Sequence, residues 1–430
     1  MKTSLYDSFF YRVWSFLFVD KCKRVASQTI IGKIFQKIYL PYATEALIVI
    51  SILMFWYEGL FIKYWGGFPG DWLSLSCLIL ALLLSDKKKI FLGKTQLYLL
   101  VFYLFLSISG LFAINRGLDP MLIFKGLLLF LQFGIVLLAA QSLMAKKKIL
   151  DGILILSLPI SIISVYQYLS NAQTSRIWLA PNEGQLTRAF GFFGSPNVLG
   201  ILMAMIFILG LGSFFKTKKY YYLIPAILSL LATGFTFSRS AWLGLLVALF
   251  VSIVVYNYKY LLYFPLILLG LLIPKVRNRI EVSLSVNYLW DSSLDGRVWA
   301  MINGLYIFKK YPFLGTGPGT YGGNLAAGYA SPVYLEGIQN GYTALYYTDN
   351  QYLEIIIQGG LLGIFSFVGF VISALVSLIN QYKTKKDVMV LASLSIFICF
   401  LTSGLFANVL EFGAIAVPMA IILGIELGEK

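Results

Sequence analysis

Long apolar runs separated by short polar turns dominate the chain. The runs fall near 43–62, 72–85, 96–115, 120–144, 149–169, 197–215, 220–237, 240–256, 258–274, 351–380, 388–407 and 412–427. Most approach the roughly 20 residues that a helix needs to cross a hydrocarbon core. They predict about twelve transmembrane helices. The first two runs are short or interrupted, by Glu58, Gly59 and Gly66-Gly67, and predict a tilted pair. Ahead of them, residues 1–40 mix aromatics with Arg12, Lys21, Lys23, Arg24, Lys33 and Lys37, the pattern of an interfacial amphipathic segment. No small-residue cleavage site follows a single apolar core there, so a removable signal peptide is not expected. The expected division is an interfacial segment 1–40, nine spans in 41–274, one large extracytoplasmic loop 275–350, and three more spans in 351–430. The fold class is an all-α polytopic membrane protein.

Composition narrows the chemistry. Length alone, at 430 residues, would suit two or three soluble domains. Only 12% of the residues are charged and 59% are hydrophobic, against roughly 25% charged in soluble domains. Histidine is absent, which excludes His-based zinc sites, Ser-His-Asp triads and histidine relays. Cys22 lies in a basic stretch, while Cys77 and Cys399 lie in apolar runs, so neither a metal site nor a structural disulfide is expected. No cofactor is called for. The net charge of +15 could suit nucleic acid, but in such a chain it reports topology, and no nucleic-acid partner is expected.

Lysine sets the sidedness. With the N-terminus in the cytoplasm, alternate turns carry Lys87-Lys88-Lys89, Lys146-Lys147-Lys148, Lys216 with Lys218-Lys219, Lys259, and Lys383 with Lys385-Lys386. Twenty of the 25 lysines then face the cytoplasm, as do both termini. Arginine does the opposite. Arg116, Arg176, Arg188, Arg239, Arg277, Arg279 and Arg297 face outward. A guanidinium binds phosphate or carboxylate oxygens in bidentate fashion and stays charged when partly desolvated. For Arg277 and Arg279 a lipid-headgroup contact serves as well.

The outer stretches 170–196 and 275–350 hold the candidate chemistry. Arg188 precedes Gly191-Phe192-Phe193-Gly194-Ser195-Pro196-Asn197, where Ser195-Pro196 predicts a helix start. Arg239, in Ser238-Arg239-Ser240-Ala241-Trp242, sits between two apolar runs with almost no loop, which is costly unless it faces a cavity or partner. Arg297, in Gly296-Arg297-Val298-Trp299, has a salt bridge to Asp291 or Asp295 as its alternative. Gly317, Gly319 and Gly322 form a nominal GxGxxG, but Pro318 interrupts the N–H run and no strand precedes it, so no nucleotide site is expected. Seven tyrosines between Tyr311 and Tyr347, Tyr321 among them, suit sugar rings and a membrane interface equally. Thr348 and Gln351 fit a capping box opening the next helix. Asp349 is then either a decoration of the first turn or a general base for a sugar hydroxyl.

Together these pieces resemble the O-antigen ligase and Wzy-type polysaccharide polymerase superfamily. The matching elements are Arg188 with Gly191 to Gly200, Ser238 to Gly244, Gly296 to Trp299, Pro312 to Gly317, and Asp349-Asn350-Gln351-Tyr352-Leu353 through Gly359-Gly360-Leu361-Leu362-Gly363. They span residues 188–363 in the family's order; residues before 170 match in hydropathy alone. The resemblance implies a GT-C-like, metal-independent, inverting glycosyltransferase of a bacterial cytoplasmic membrane. Its donor and acceptor would be undecaprenyl-pyrophosphate-linked oligosaccharides, with chain-length regulator and flippase proteins as partners, in capsule or exopolysaccharide synthesis. Arg188, Arg239 and Arg297 match arginines at the pyrophosphate site. Asp349 stands where the ligases often carry histidine, which looks more like the polymerases. Asn197, Asn350, Glu354, Tyr321 and Tyr347 are expected to support substrate. The reading is a polymerase of lipid-linked repeats, with a glycan ligase and an anion or lipid-linked sugar transporter as rivals. For the transporter, Gln141, Gln167 and Asn380 are the polar residues that would line a path.

Overall fold

The computed structural model describes residues 43–65, 70–85, 90–174, 187–262, 265, 272–285, 297–338 and 348–428. The interfacial segment 1–40, the Lys87–Lys89 turn and most of the expected ninth span lie outside the described residues. Among those described, the chain is helical with no β-strand. The first half gives α1 (Ala43–Trp65), α2 (Gly70–Leu84), α3 (Lys94–Asn115), α4 (Pro120–Gln141), α5 (Lys146–Leu169), α6 (Pro196–Thr217), α7 (Leu223–Phe235) and α8 (Arg239–Asn257). The former 275–350 stretch gives α9 (Pro274–Leu284), α10 (Arg297–Lys310), α11 (Gly323–Gly328) and α12 (Pro332–Ile338). The chain closes with α13 (Gln351–Lys385), α14 (Val388–Ser403) and α15 (Gly413–Leu427).

Six of these helices are long and apolar enough to cross a membrane, and five shorter stretches, of 10–17 residues, are apolar as well. This is a polytopic helical membrane protein. Its helix starts follow local chemistry. Asp119 and Asp387 accept from the N–H groups of Met121 (2.7 Å) and Met389 (2.9 Å), with Pro120 in the first turn of α4. Ser195 caps α6 ahead of Pro196, as the sequence predicts. One expected start is different. Asn350, not Thr348, caps α13, accepting from Tyr352 N at 3.0 Å and Leu353 N at 2.9 Å. Thr348 instead turns its hydroxyl to Asn408 Oδ1, 2.9 Å away.

The helices pair as α1 with α2, α3 with α13, α4 with α15, α6 with α7 and α8 with α14. In α6, 83% of the most apolar stretch is buried, against 28–50% in the other long helices. A helix apolar on every face belongs inside, so α6 is the axis and its neighbours carry the exposed apolar faces.

Helix α13 is broken. Gly360 takes φ 63°, ψ −166°, a conformation that an L side chain resists. The Pro312–Gly317 loop fills the break. Leu361 N and Leu362 N donate to Pro312 O (2.8 Å) and Phe313 O (3.3 Å), while Thr316 N and Gly317 N donate to Ile357 O (2.9 Å) and Gln358 O (3.0 Å). Backbone freed inside a membrane must find such partners. This is the role of the glycine-rich stretch that resembles a nucleotide loop.

The 275–350 stretch, expected as a loop, is largely helical where described. Ile307, Tyr321, Ala326, Val333 and Tyr334 form a second apolar core with Ala113 and Ile123 at the ends of α3 and α4, and with Leu353 and Ile357 of α13. It therefore makes a packed cap over one end of the bundle. Among the described residues, the lysine turns around Lys146, Lys216 and Lys386 lie at the other end. There Lys216 pairs with Asp387 at 2.5 Å, Tyr222 Oη donates to Asp151 Oδ1 at 2.7 Å, and Lys146 Nζ reaches Ile425 O at 3.4 Å.

Candidate functional site

Arg188 is carried on an extended segment fastened on both sides. Thr174 Oγ1 accepts from Arg188 N at 2.9 Å and donates to Arg188 O at 3.0 Å, and Ala189 N donates to Phe235 O at 2.9 Å. Gln167 completes the clamp. Its Oε1 accepts from Phe190 N (3.1 Å) and Gly191 N (2.8 Å), and its Nε2 donates to Gly191 O (3.0 Å). Arg188 is only 3% exposed. Its Nε donates to Thr236 O at 2.8 Å and its Nη2 to Asn197 Oδ1 at 3.1 Å.

Those contacts draw Arg188 onto the turn between α7 and α8. Phe237 there has φ 49°, a backbone state that costs energy outside glycine and needs support from its surroundings. Arg279 of α9 is also buried and donates from Nε to Phe237 O at 3.3 Å. Two guanidinium groups thus hold neighbouring carbonyls of one turn. Ser238 Oγ donates to Asn197 Oδ1 at 3.1 Å, and Gly200 lets the turn lie on α6, since a Cβ there would meet Thr236 Oγ1 at 2.7 Å. Arg239 is the first residue of α8 and half-buried. A cation at a helix N-terminus adds to the positive end of the dipole instead of compensating it.

A small cleft, with a volume of about 20 Å³, opens beside this turn. Ser195, Asn197, Asp349 and Asn408 supply its polar wall, and Val198, Ile201, Ala407, Phe412 and Ile415 its apolar one. Helices α6, α13 and α15 begin at the cleft, and α8 begins one hydrogen bond away through Ser238 and Asn197. Helix N-termini beside a buried guanidinium favour an anion. Asp349 has φ 47°, tolerable for aspartate, and lies just outside the helix, so it is not a first-turn residue of α13. A carboxylate in such a wall can accept a proton from a bound hydroxyl.

The structure thus brings Arg188, Asn197, the Ser238-Arg239 turn and Asp349 to one region. Asn350 faces its own helix as the cap. Glu354 is fully buried beneath the cleft and accepts from Gln351 Nε2 (3.1 Å) and Gln358 Nε2 (3.0 Å). Arg297 opens α10, which packs on α13; its side chain, like Asp291, Asp295 and Tyr347, lies outside the described residues. Tyr321 is fully buried, its hydroxyl donating to Ala300 O at 3.0 Å, so its ring offers no face to a sugar here. Arg116 sits over the Tyr311 ring at 4.1 Å and donates to Thr316 O at 2.9 Å, holding the loop that fills the α13 break. Arg277 is exposed beside Glu281. Asn408 and Glu411 are not singled out in the sequence, and Arg279 reads there as a headgroup contact as readily as anything else. The one signal for the first two was Asn408 and Glu411 themselves, polar residues in the four-residue gap between two long apolar runs.

The residues proposed for a transport path do not line one. Gln167 is engaged with the Arg188 segment, Gln141 Oε1 accepts from Phe91 N at 2.8 Å, and Asn380 is exposed on the outside of α13.

No curated protein matches the chain. Residues 224–368 do match the model of the family described as O-antigen ligase (Wzy_C). The matched part covers about a third of the chain, from the start of α7 to just past the break in α13, and includes Arg239, Arg279, Arg297 and Asp349; Arg188 and Asn197 precede it. That match agrees with the O-antigen ligase and Wzy superfamily that the motifs resemble.

Proposed function

We propose that the protein is a polymerase joining undecaprenyl-pyrophosphate-linked oligosaccharide repeats at the outer face of a bacterial cytoplasmic membrane. The observation that carries the reading is the cleft itself, where Asp349 shares a wall with Asn197, the partner of the buried Arg188 guanidinium. The arginine end of the bundle is the outer one by the positive-inside rule, since the described lysine turns lie opposite.

Outside the cell no nucleotide sugar is at hand, so the donor must bring its own leaving group. An acceptor hydroxyl oxygen attacks the anomeric carbon of the donor sugar while the bond from that carbon to the pyrophosphate oxygen breaks. Asp349 takes the hydroxyl proton, and undecaprenyl pyrophosphate leaves with the electron pair. Arg188, Arg239 and Arg297, with the helix N-termini, balance the charge growing on it. Asn197 holds the Arg188 guanidinium toward the cleft, and Asn350 and Glu354 support the segment that bears Asp349. Each charge-assisted contact is worth roughly 1.5–3 kcal/mol, or about one to two powers of ten in rate. The chemistry needs no metal. Aspartate at position 349, where the ligases often carry histidine, favours a polymerase over transfer to another acceptor.

The test supplies purified protein in lipid with a defined undecaprenyl-pyrophosphate repeat and sizes the products. A ladder that disappears in Asp349→Asn is expected. Transfer of a single glycan only to an added acceptor would make the protein a ligase, and unchanged substrate would remove both readings.

A further inference from the structure

Glu411 lies below the cleft in a polar network that the reaction scheme leaves without a role. Two glutamine amides point their N–H groups at Glu354, one at each oxygen. Neither amide is free to turn over. Gln351 Oε1 accepts from Leu410 N at 2.7 Å, and Gln358 Oε1 accepts from Gly319 N at 2.8 Å while its Nε2 also reaches Tyr321 O at 3.1 Å. A backbone N–H can only donate, so each amide must keep its oxygen toward it. Glu354 therefore faces donors from α13 itself and is left to act as an acceptor.

The carboxyl of Glu411 lies within side-chain hydrogen-bond reach of it. Two ionised carboxylates have no proton to share. One must bring it, and the amides leave that part to Glu411. The geometry on the far side agrees, because Asn408 Nδ2 donates to Glu411 Oε2 at 3.1 Å and leaves the other oxygen for the proton. Burial holds the Glu411 carboxyl above its ordinary range, although its contacts with Glu354 and Asn408 pull the other way.

We propose that Glu411 is a positioning residue: as a neutral acid donating to Glu354, it ties the first turns of α13 to the 404–412 turn and so keeps Asp349 and Asn408 on the cleft wall. The segment 351–359 needs such a tie, because the break at Gly360 cuts it off from the long part of its own helix. The other fastenings run in the same direction. Gln351 N donates to Gly404 O at 2.8 Å, Thr348 Oγ1 to Asn408 Oδ1 at 2.9 Å, and Gln132 Nε2 of α4 to Leu410 O at 3.2 Å. The residues on either side of Asp349 are therefore both fixed, Thr348 to the turn and Asn350 to the helix.

The proposal rests on the reading of the cleft as the place where the acceptor hydroxyl is activated, and its test separates the two. The tie has a direction, which glutamine can probe. In E411Q the new amide can accept from Asn408 and donate to Glu354, keeping each bond. In E354Q a new NH2 group meets the N–H groups of Gln351 and Gln358, and one bond becomes a repulsion. E411A removes the tie altogether.

The three variants are compared with wild type in lipid, by polymer formation resolved into kcat and KM and by thermal unfolding. E411A and E354Q are expected to lose at least tenfold in kcat with donor KM within about threefold, and E411Q to restore most of what E411A loses. An E411Q as poor as E411A, or an E354Q as good as E411Q, overturns the proposal. So does a set whose unfolding temperatures follow the expected order while kcat stays constant, since the tie would then be structural only. Wild type that makes no polymer defeats the functional reading instead. The unfolding order alone then decides the direction of the tie: E411Q above E354Q and E411A supports it, and any other order overturns it.

Discussion

Replacing Gly360 with alanine tests whether the break in α13 is a required feature of the fold. The added methyl carries two penalties that can be worked from the structure. At φ 63°, a side chain in the left-handed region costs about 1–2 kcal/mol. The new Cβ would also stand 2.2 Å from Phe313 O and 2.7 Å from Gly315 N. Both are backbone atoms of the loop that fills the break, and neither can rotate away. Either the crowding remains, at about 1–3 kcal/mol, or the loop withdraws. Withdrawal forfeits the Leu361 N to Pro312 O and Gly317 N to Gln358 O bonds, at about 0.5–1.5 kcal/mol each, a similar sum. The loss expected is about 2–5 kcal/mol. Gly363 is the matched control. It lies three residues on in the same helix, and a Cβ there meets nothing closer than Ile355 O at 3.8 Å. Its alanine variant gains helix propensity and should be neutral or stabilised by up to about 1 kcal/mol. Both are measured by denaturant or thermal unfolding in one detergent or lipid. Equal stability of the two variants would show that the left-handed turn and the loop contact do not matter. A straightened helix would also shift Asn350 and Asp349, so Gly360→Ala should lose polymer formation in step with stability.

Other substitutions probe the remaining links. Arg188→Lys keeps the charge, but an ammonium cannot hold Thr236 O and Asn197 Oδ1 in the geometry that Nε and Nη2 share. Its rate of polymer formation should fall by one to two powers of ten, whereas Arg277→Lys, exposed beside Glu281, should stay within about twofold. A result in which the two variants behave alike argues against a special place for Arg188. Asn350→Ala removes the cap of α13 and should cost about 1 kcal/mol in unfolding, with Asn350→Asp close to wild type; equal losses in both would mean that the cap is not what matters there. Asp387 joins α14 to Lys216. Burial pushes its carboxyl up, but the bonds from Lys216 and Met389 N outweigh that and leave it below its ordinary value. A lowered folded value stabilises above the unfolded one and stops doing so as pH falls through it. The stability gap between wild type and Asp387→Asn should therefore be present at neutral pH and close below about pH 3.9.

Much of the bundle was legible because one physical requirement governs it. Lipid forces each crossing segment to be apolar and helical, so runs such as 96–115 and 197–215 became α3 and α6 with boundaries shifted by a few residues. Caps with their own side-chain acceptor were legible too, Ser195 with Pro196 above all. The start of α13 was read one device off. Thr348 and Gln351 have the spacing of a capping box, but Thr348 is drawn to Asn408, sixty residues away, and the adjacent Asn350 takes the cap. No local spacing reveals a competitor at that distance. The same holds for the 275–350 stretch, whose buried Tyr321 and Tyr334 look like surface aromatics until the ends of α3, α4 and α13 cover them.

The site was legible where a residue is unusual for its surroundings. Arg239 was conspicuous because a guanidinium beside hydrocarbon demands a reason; it belongs to the turn that borders the cleft, and Arg188 holds that turn through Thr236 O. Arg279 carried the same charge but sat in a polar stretch, where a headgroup contact explained it equally well. What distinguishes it is a carbonyl, Phe237 O, and backbone acceptors leave no trace in side-chain identity. The same blindness hid the glycine-rich loop. In sequence the nominal GxGxxG at Gly317, Gly319 and Gly322 is set aside as a nucleotide site and gains no other role, whereas Gly315, Gly317 and Gly360 let two backbones meet where a helix stops bonding to itself. In a membrane interior, where water cannot serve as the missing partner, the broken helix and the loop that mends it are a single unit. The helical segment that follows Asp349 is thus held at its far end by backbone contacts that begin at Pro312.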